Sequence, residues 1–250
     1  MKIDPIHQFN IEPLFTIGHI GNHTIAFTNS SLYMFLAVAV ISILMIGGMA
    51  GRQLVPGRLQ SIAEISYEFV ASTIRSTAGK EGMKFFPLIF SLFMFICISN
   101  LIGIIPYTFT VSSHIIVTAA LALLVFFTVL IYGIYKNGLK FFKLFVPHGV
   151  PGYILPLVMF IEILSFFLRP VSHSVRLFAN MLAGHIALKV FASFVGMLGA
   201  LGFIGWVGAI LPLGLTIALT ALEILVAFLQ AYVFTILTCI YLNDAIHPGH

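Results

Sequence analysis

YILPLVMFIEILSFFLRPVSHSVRLFANMLAGHIALKVFASFVGMLGALGFIGWVGAILPLGLTIALTALEILVAFLQAYVFTILTCIYL, residues 153–242, holds only five charged side chains: Glu162, Arg169, Arg176, Lys189 and Glu223. A bilayer's hydrocarbon core is crossed by about 20 apolar residues in a helix. The Gly-rich, Pro-containing stretch 196–214 predicts a turn inside the run. The reading is two long helices, about 153–195 and 205–242. Each is longer than a perpendicular crossing needs, so each is expected to tilt strongly or to lie partly along the membrane plane.

The composition agrees with a lipid-facing surface. The chain has 250 residues, of which 60% are hydrophobic and 8% charged, against about 25% charged in a soluble domain. Its length allows about five or six spans. The net charge of +4 comes without a dense basic tract, so it does not indicate nucleic acid. Cys97 and Cys239 both sit in apolar stretches, with no disulfide framework and no metal-type spacing. The N-terminal MKIDPIHQFNIEPLF has early acids and prolines and no compact apolar core, which is not the pattern of a cleavable signal peptide.

Working outward, residues 31–50 predict a first span that exits through Gly-Gly-Met-Ala-Gly-Arg, ending at Arg52. Within 51–84, Leu59, Ile62, Ile65, Phe69 and Val70 recur at helical spacing, interrupted by Glu64, Glu68 and Arg75. That pattern predicts an amphipathic helix at the cytoplasmic-side interface, the alternative being a helix packed on other loops. A helical hairpin is expected over 85–135. Its first span contains Asn100 and stops at Pro106, an uncharged loop covers 107–113, and its second span starts at His114. Lys136, Lys140 and Lys143 follow, and 147–152 reads as a turn. The expectation is an all-α polytopic membrane protein, a single membrane domain over 1–250, with about five spans, one interfacial helix and an extramembrane segment over 1–30. No repeat suggests two inverted halves. Lys and Arg concentrate in the 51–84 and 136–143 connections and are absent from 107–113. The positive-inside bias then puts the N-terminus outside and the C-terminus inside.

Ionisable groups inside spans are costly and are functional-site candidates by default. Glu162, Arg169 and Arg176 are spaced seven apart, two helical turns with about 20° of drift, so they share a broad face with His173. Past Arg176, that face continues through Ala179, Asn180, Ala183 and Ala187, small residues that let another helix approach closely. His185, nine residues beyond Arg176, points the other way, toward the last helix. There Thr216, Thr220, Glu223 and Gln230 form one stripe. Imidazole and a buried carboxylate can exchange protons near neutral pH, with Thr, Asn and Gln holding water. Each feature has a bland counterpart. Glu162 and Arg169 can form a structural pair, though seven residues is too far for a direct helical contact, Lys189 can snorkel to the interface, His185 and Glu223 can be a static hydrogen-bonded pair, and the alanines can be internal packing. Arg176 resists that treatment: it is permanently charged and has no acid within a helical turn. A stand-alone cation channel and a membrane anchor of a respiratory complex remain alternatives at this point. No Walker-type phosphate loop is present, so nucleotide chemistry would have to occur on a partner.

Ser-Val-Arg-Leu-Phe-Ala-Asn-Met-Leu-Ala-Gly-His over 174–185, Pro-Val-Ser over 170–172, Leu-Gln-Ala-Tyr-Val-Phe over 229–234 and Asn-Leu-Ile-Gly-Ile-Ile-Pro over 100–106 closely resemble the motifs of subunit a of F-type ATP synthases. The likeness runs over most of the chain from about residue 30. The resemblance implies that Arg176 is the family's essential arginine, facing a rotating ring of c subunits and separating two half-channels, with Asn180 and Gln230 beside its path. It implies Glu162 in the cytoplasmic-side half-channel and His185 with Glu223 in the outer one. In many bacterial members the acid comes first and the histidine second; here the order is swapped, as in mitochondrial-type relatives. No role is carried over for Arg169, His173 or Asp244. Further implications are a stator role with no catalytic site of its own, no cofactor and no metal. The implied partners are the c-ring, peripheral-stalk b-type subunits, the rest of the synthase and the lipid bilayer. The implied location is a bacterial inner membrane, with the mitochondrial inner membrane as the alternative.

Overall fold

The computed structural model describes residues 10–20, 23–50, 55–105, 108–146 and 153–247. The expected exit at Arg52, the stop at Pro106, the loop start at Tyr107 and the turn at 147–152 lie outside these residues, as does everything before residue 10. Helix α1 covers Asn29–Met49, α2 Arg58–Gly82, α3 Phe86–Ile104, α4 Ile115–Asn137, α5 Leu155–Gly199 and α6 Phe203–Ile246. Short 3-10 segments occupy Met83–Phe85, Val111–Ser113 and Gly138–Phe145. Among the described residues, five helical segments are long and apolar enough to cross a bilayer, with α2 and α3 counted as one continuous stretch. The chain is an all-α, multi-pass membrane protein, and the two long helices expected from the apolar run are α5 and α6.

One element went unread in the sequence. Strands β1 (Pro13–Ile20) and β2 (His23–Thr28) form an antiparallel hairpin, with Thr16 opposite Ala26 and His19 opposite Thr24. Its signal was present: two runs rich in β-branched and aromatic residues flank Gly21-Asn22. Phe15 stacks on Phe27 at 5.0 Å, and Phe27 on Phe35 of α1 at 5.9 Å. Asn29 joins the hairpin to α1. Its Oδ1 accepts from the Ser30 amide at 2.8 Å and the Glu12 amide at 3.2 Å, and its Nδ2 donates to the Asn10 carbonyl at 2.9 Å.

On helix α2 the stripe read from the sequence divides: Leu59, Ile62 and Ile65 are exposed, whereas Val70 is buried together with Ala63, Ala71, Ile74 and Ala78. Small residues give the closest backbone approach, so they take the packed side; bulky apolar groups stay outside, where lipid carries no penalty for them. Gly79 leaves the helical region at φ 65°, a conformation that glycine adopts at little cost.

The chain divides into two compact units, with boundaries between Arg176 and Leu177 in α5 and between Gln230 and Ala231 in α6. The first unit comprises residues 1–41, 95–114 and 177–230; the second comprises 42–94, 115–176 and 231–250. In the second unit, Thr118 and Ser174 share a 3.0 Å hydrogen bond, Asn137 Nδ2 donates to the Ala245 carbonyl at 2.6 Å, and Lys136 pairs with Glu81. Phe126, Phe141, Phe145 and Phe166 build its aromatic core. Pro170 lies inside α5 and Pro212 inside α6, each removing one helical hydrogen bond.

Candidate functional site

In the first unit, two buried polar side chains flank one imidazole. His185 on α5 and Glu223 on α6 are 5% and 6% exposed, and His185 Nδ1 stands 3.2 Å from Glu223 Oε1. The contact has ion-pair distance, while neither Glu223 oxygen has a well-aligned hydrogen-bond donor among the described residues. The Nε2 side of His185 lies 2.9 Å from Thr110 Oγ1. Asn100, fully buried on α3, donates to the Ala227 carbonyl at 3.4 Å and accepts from the Ser112 hydroxyl. Ser99, Ser112 and Ser113 are also buried. Such a set of polar side chains inside a membrane helix bundle is expensive unless mutually satisfied or hydrated.

Local sequence makes room for the carboxylate. A β-carbon added at Gly184 would stand 2.9 Å from Glu223 Oε1. That oxygen ends a flexible side chain, so Gly184→Ala is expected to push the carboxylate off His185 rather than to unfold the protein. The expected result is a folded protein with the imidazole–carboxylate contact loosened and a lower melting temperature. Adding Glu223→Asp, which shortens the acid by one methylene, should recover part of the loss; thermal unfolding of both forms in detergent checks this.

The other expected residues have separate environments. Arg176 on α5 is exposed, as are Ala179, Asn180 and Ala183, whereas Leu177 and Met181 are 1% and 0% exposed. Among the described residues Arg176 has no carboxylate ion pair. Glu162 is half-buried, and Gln230 is buried at 7% exposure. The structure thus brings His185 and Glu223 together; Arg176, Asn180, Glu162 and Gln230 are not part of that cluster.

Arg169 takes a structural role. Its Nη1 donates to Asp244 Oδ2 at 3.0 Å, and its guanidinium lies 4.5 Å from the centre of the Tyr241 ring and 5.4 Å from that of Phe166. The pairing of Arg169 with Glu162, weighed from the sequence, does not occur. The buried His173 packs edge-on against Phe234 at 4.8 Å. Breaking the link with Asp244→Ala should cost about 1.5–3 kcal/mol, the range for a hydrogen bond to a charged group. The readout is thermal stability of the detergent-solubilised subunit complex.

Sequence reasoning missed Thr110, Ser112, Ser113 and Gly184. Only the position of Gly184, directly before His185, offered a cue.

The long apolar helices among the described residues and the buried imidazole–carboxylate pair define a polytopic membrane protein that carries titratable groups on its apolar helices. The chain belongs to the ATP synthase A chain family, whose model matches residues 31–243. It is 87% identical over 251 residues to ATP synthase subunit a of Bradyrhizobium diazoefficiens, covering 100% of both chains. It is 86% identical over 250 residues to that of Rhodopseudomonas palustris strain BisB5, again covering 100% of both. With ATP synthase subunit a of Nitrobacter winogradskyi it shares 79% identity over 248 residues, 99% of this chain and 100% of the relative.

Proposed function

We propose that this chain is the membrane stator subunit of a rotary ATP synthase, carrying protons through two offset half-channels to and from the carboxylates of a c-ring. The observation that carries the reading is the buried His185–Glu223 pair, 3.2 Å apart, on the helix that also exposes Arg176 beside small residues. A proton entering from outside passes Glu223 and His185 to a ring carboxylate. The neutralised carboxylate can then turn into lipid, where a charged one would be very costly. Near Glu162, on the cytoplasmic side, it releases its proton.

Arg176 performs two tasks in this reading. Its fixed charge favours the ionised form of an arriving carboxylate, and it does not readily deprotonate, so it blocks direct passage between the half-channels. The exposed face of Arg176, Ala179, Asn180 and Ala183 supports a partner helix passing close by; Gln230 lines the same path. The partners are the c-ring, b-type stalk subunits and the remaining synthase subunits, in a bacterial inner membrane with the N-terminus outside and the C-terminus inside. The long α5 and α6 tilt against the ring, and α2 lies at the cytoplasmic interface. The subunit has no nucleotide chemistry of its own. Each charge crossing the membrane contributes about 2.3 kcal/mol per 100 mV, so several must combine for one ATP.

The test of the outer half-channel is Glu223→Gln in vesicles carrying the whole complex, read as ATP-driven acidification. Pumping should fall to near background with ATP hydrolysis by the detached head unchanged. Pumping at the wild-type rate would remove the pair from the path.

A further inference from the structure

We propose that Thr110 is the third member of the buried relay, holding the His185 ring and matching its hydrogen bonding in both proton states. The inference rests on the reading of His185 and Glu223 as proton-path residues. Thr110 is 0% exposed, with Oγ1 2.9 Å from His185 Nε2 and 3.5 Å from the Gly103 carbonyl oxygen. On the opposite edge of the ring, Nδ1 stands 3.2 Å from Glu223 Oε1. The imidazole is therefore gripped at both nitrogens, by a hydroxyl on one side and a carboxylate on the other.

A neutral imidazole has one N–H and one bare nitrogen, and a hydroxyl can both donate and accept. Two arrangements become possible once a small turn of the Glu223 carboxylate aligns Oε1 with Nδ1, 3.2 Å away. In the first, Glu223 is ionised, Nδ1–H donates to Oε1, and the Thr110 hydroxyl donates to bare Nε2. In the second, Glu223 is protonated and donates to bare Nδ1. Nε2–H then donates to Thr110 Oγ1, whose own hydrogen turns to the Gly103 carbonyl.

The two arrangements differ by one proton. In the ATP-driven direction, from the c-ring outward and so opposite to the entry order of synthesis, a hydronium on the Thr110 side gives its proton to Oγ1 as the hydroxyl hydrogen moves to Nε2 and the Nδ1 hydrogen moves to Glu223. The products are water, an unchanged threonine, a neutral histidine with its hydrogen on the other nitrogen, and a neutral carboxylic acid. No member of the relay is left charged in the second state. After Glu223 hands its proton on, rotation of the ring or exchange with water restores the first arrangement. A valine of the same shape would fill the space but satisfy neither state.

The backbone helix of α3 is cut to fit this threonine. A β-carbon at Gly103 would lie 2.8 Å from Thr110 Cγ2 and 3.0 Å from Oγ1. The glycine thus lets the hydroxyl sit between the Gly103 carbonyl and Nε2, and it offers a second handle on the same contact.

The experiment compares Thr110→Val, Thr110→Ser, Gly103→Ala and the Gly103→Ala/Thr110→Ser pair in vesicles with the whole complex, alongside His185→Ala. The readouts are ATP-driven acidification across external pH and subunit content by immunoblot. Thr110→Val is expected to lower proton flux roughly threefold to tenfold, the weight of one or so buried hydrogen bonds, and to shift the pH of half-maximal flux. Thr110→Ser should restore both. Gly103→Ala should lower flux similarly, and adding Thr110→Ser, which removes Cγ2, should relieve it. Wild-type flux in Thr110→Val, or an equal loss in Thr110→Ser, overturns the role of the hydroxyl. Should Thr110→Val fail to assemble, the Gly103→Ala comparison decides: a loss that Thr110→Ser does not relieve overturns the role. Wild-type flux in His185→Ala overturns the half-channel reading itself, whereas a loss there with unaltered Thr110→Val sinks this inference alone.

Discussion

Arg176→Ala is expected to abolish ATP-driven proton pumping down to the background of uncoupled vesicles while leaving the subunit assembled. The reasoning is electrostatic. The guanidinium is exposed on α5 and has no carboxylate partner among the described residues. A permanent charge in a membrane helix without a carboxylate partner among the described residues is costly, so its compensation is expected from a partner, here a c-ring carboxylate. Alanine removes both the pull that ionises that carboxylate and the barrier between half-channels. Arg176→Lys keeps the charge but loses the planar fork and deprotonates more readily when desolvated. It should rescue little of the pumping. ATP-driven dye quenching, normalised to subunit content, measures both forms.

The second large effect lies in the buried pair. Glu223→Gln and His185→Ala should each lower pumping by about 100-fold or more, the weight of a positioned proton-transfer group. The two losses should not add, because the groups act on one proton across a 3.2 Å contact. The double exchange His185→Glu with Glu223→His is the sharper form of this prediction. It keeps one imidazole and one carboxylate in contact and should recover pumping that either single exchange loses. Recovery no better than the worse single variant would argue for a static pair whose order is fixed by packing.

The sequence made these two predictions possible, for a physical reason. An apolar run of about ninety residues leaves almost no charge to explain, so each ionisable group within it stands out. Helical periodicity then separates the face of Arg176 from that of His185. Hydropathy likewise marks α5 and α6, because nothing else keeps so long an apolar stretch from water. Other parts were less legible. Arg169 and Asp244 are 75 residues apart, and no local periodicity links them. Thr110 sits in a short loop whose composition gives no direction, and its role emerges only where the chain returns beside α5. On α2, apolar spacing marked an amphipathic stripe but not the side that packs within the chain, since in a bilayer bulky apolar residues can as well face outward and small ones inward. The β1–β2 hairpin went unread because hydropathy marks residues 1–30 only as an extramembrane segment and says nothing of strand pairing within it.

The most direct test of the central claim is passive proton flux under an imposed potential, in vesicles stripped of the soluble head, compared among wild type, Arg176→Ala and Glu223→Gln. The proposed arrangement predicts that flux persists or rises in Arg176→Ala, because the separator is gone while both half-channels remain, and that it falls in Glu223→Gln, because the entry route is broken. Arg176→Ala vesicles that neither pump nor leak, or Glu223→Gln vesicles that leak as fast as wild type, would contradict a path of two half-channels divided by Arg176.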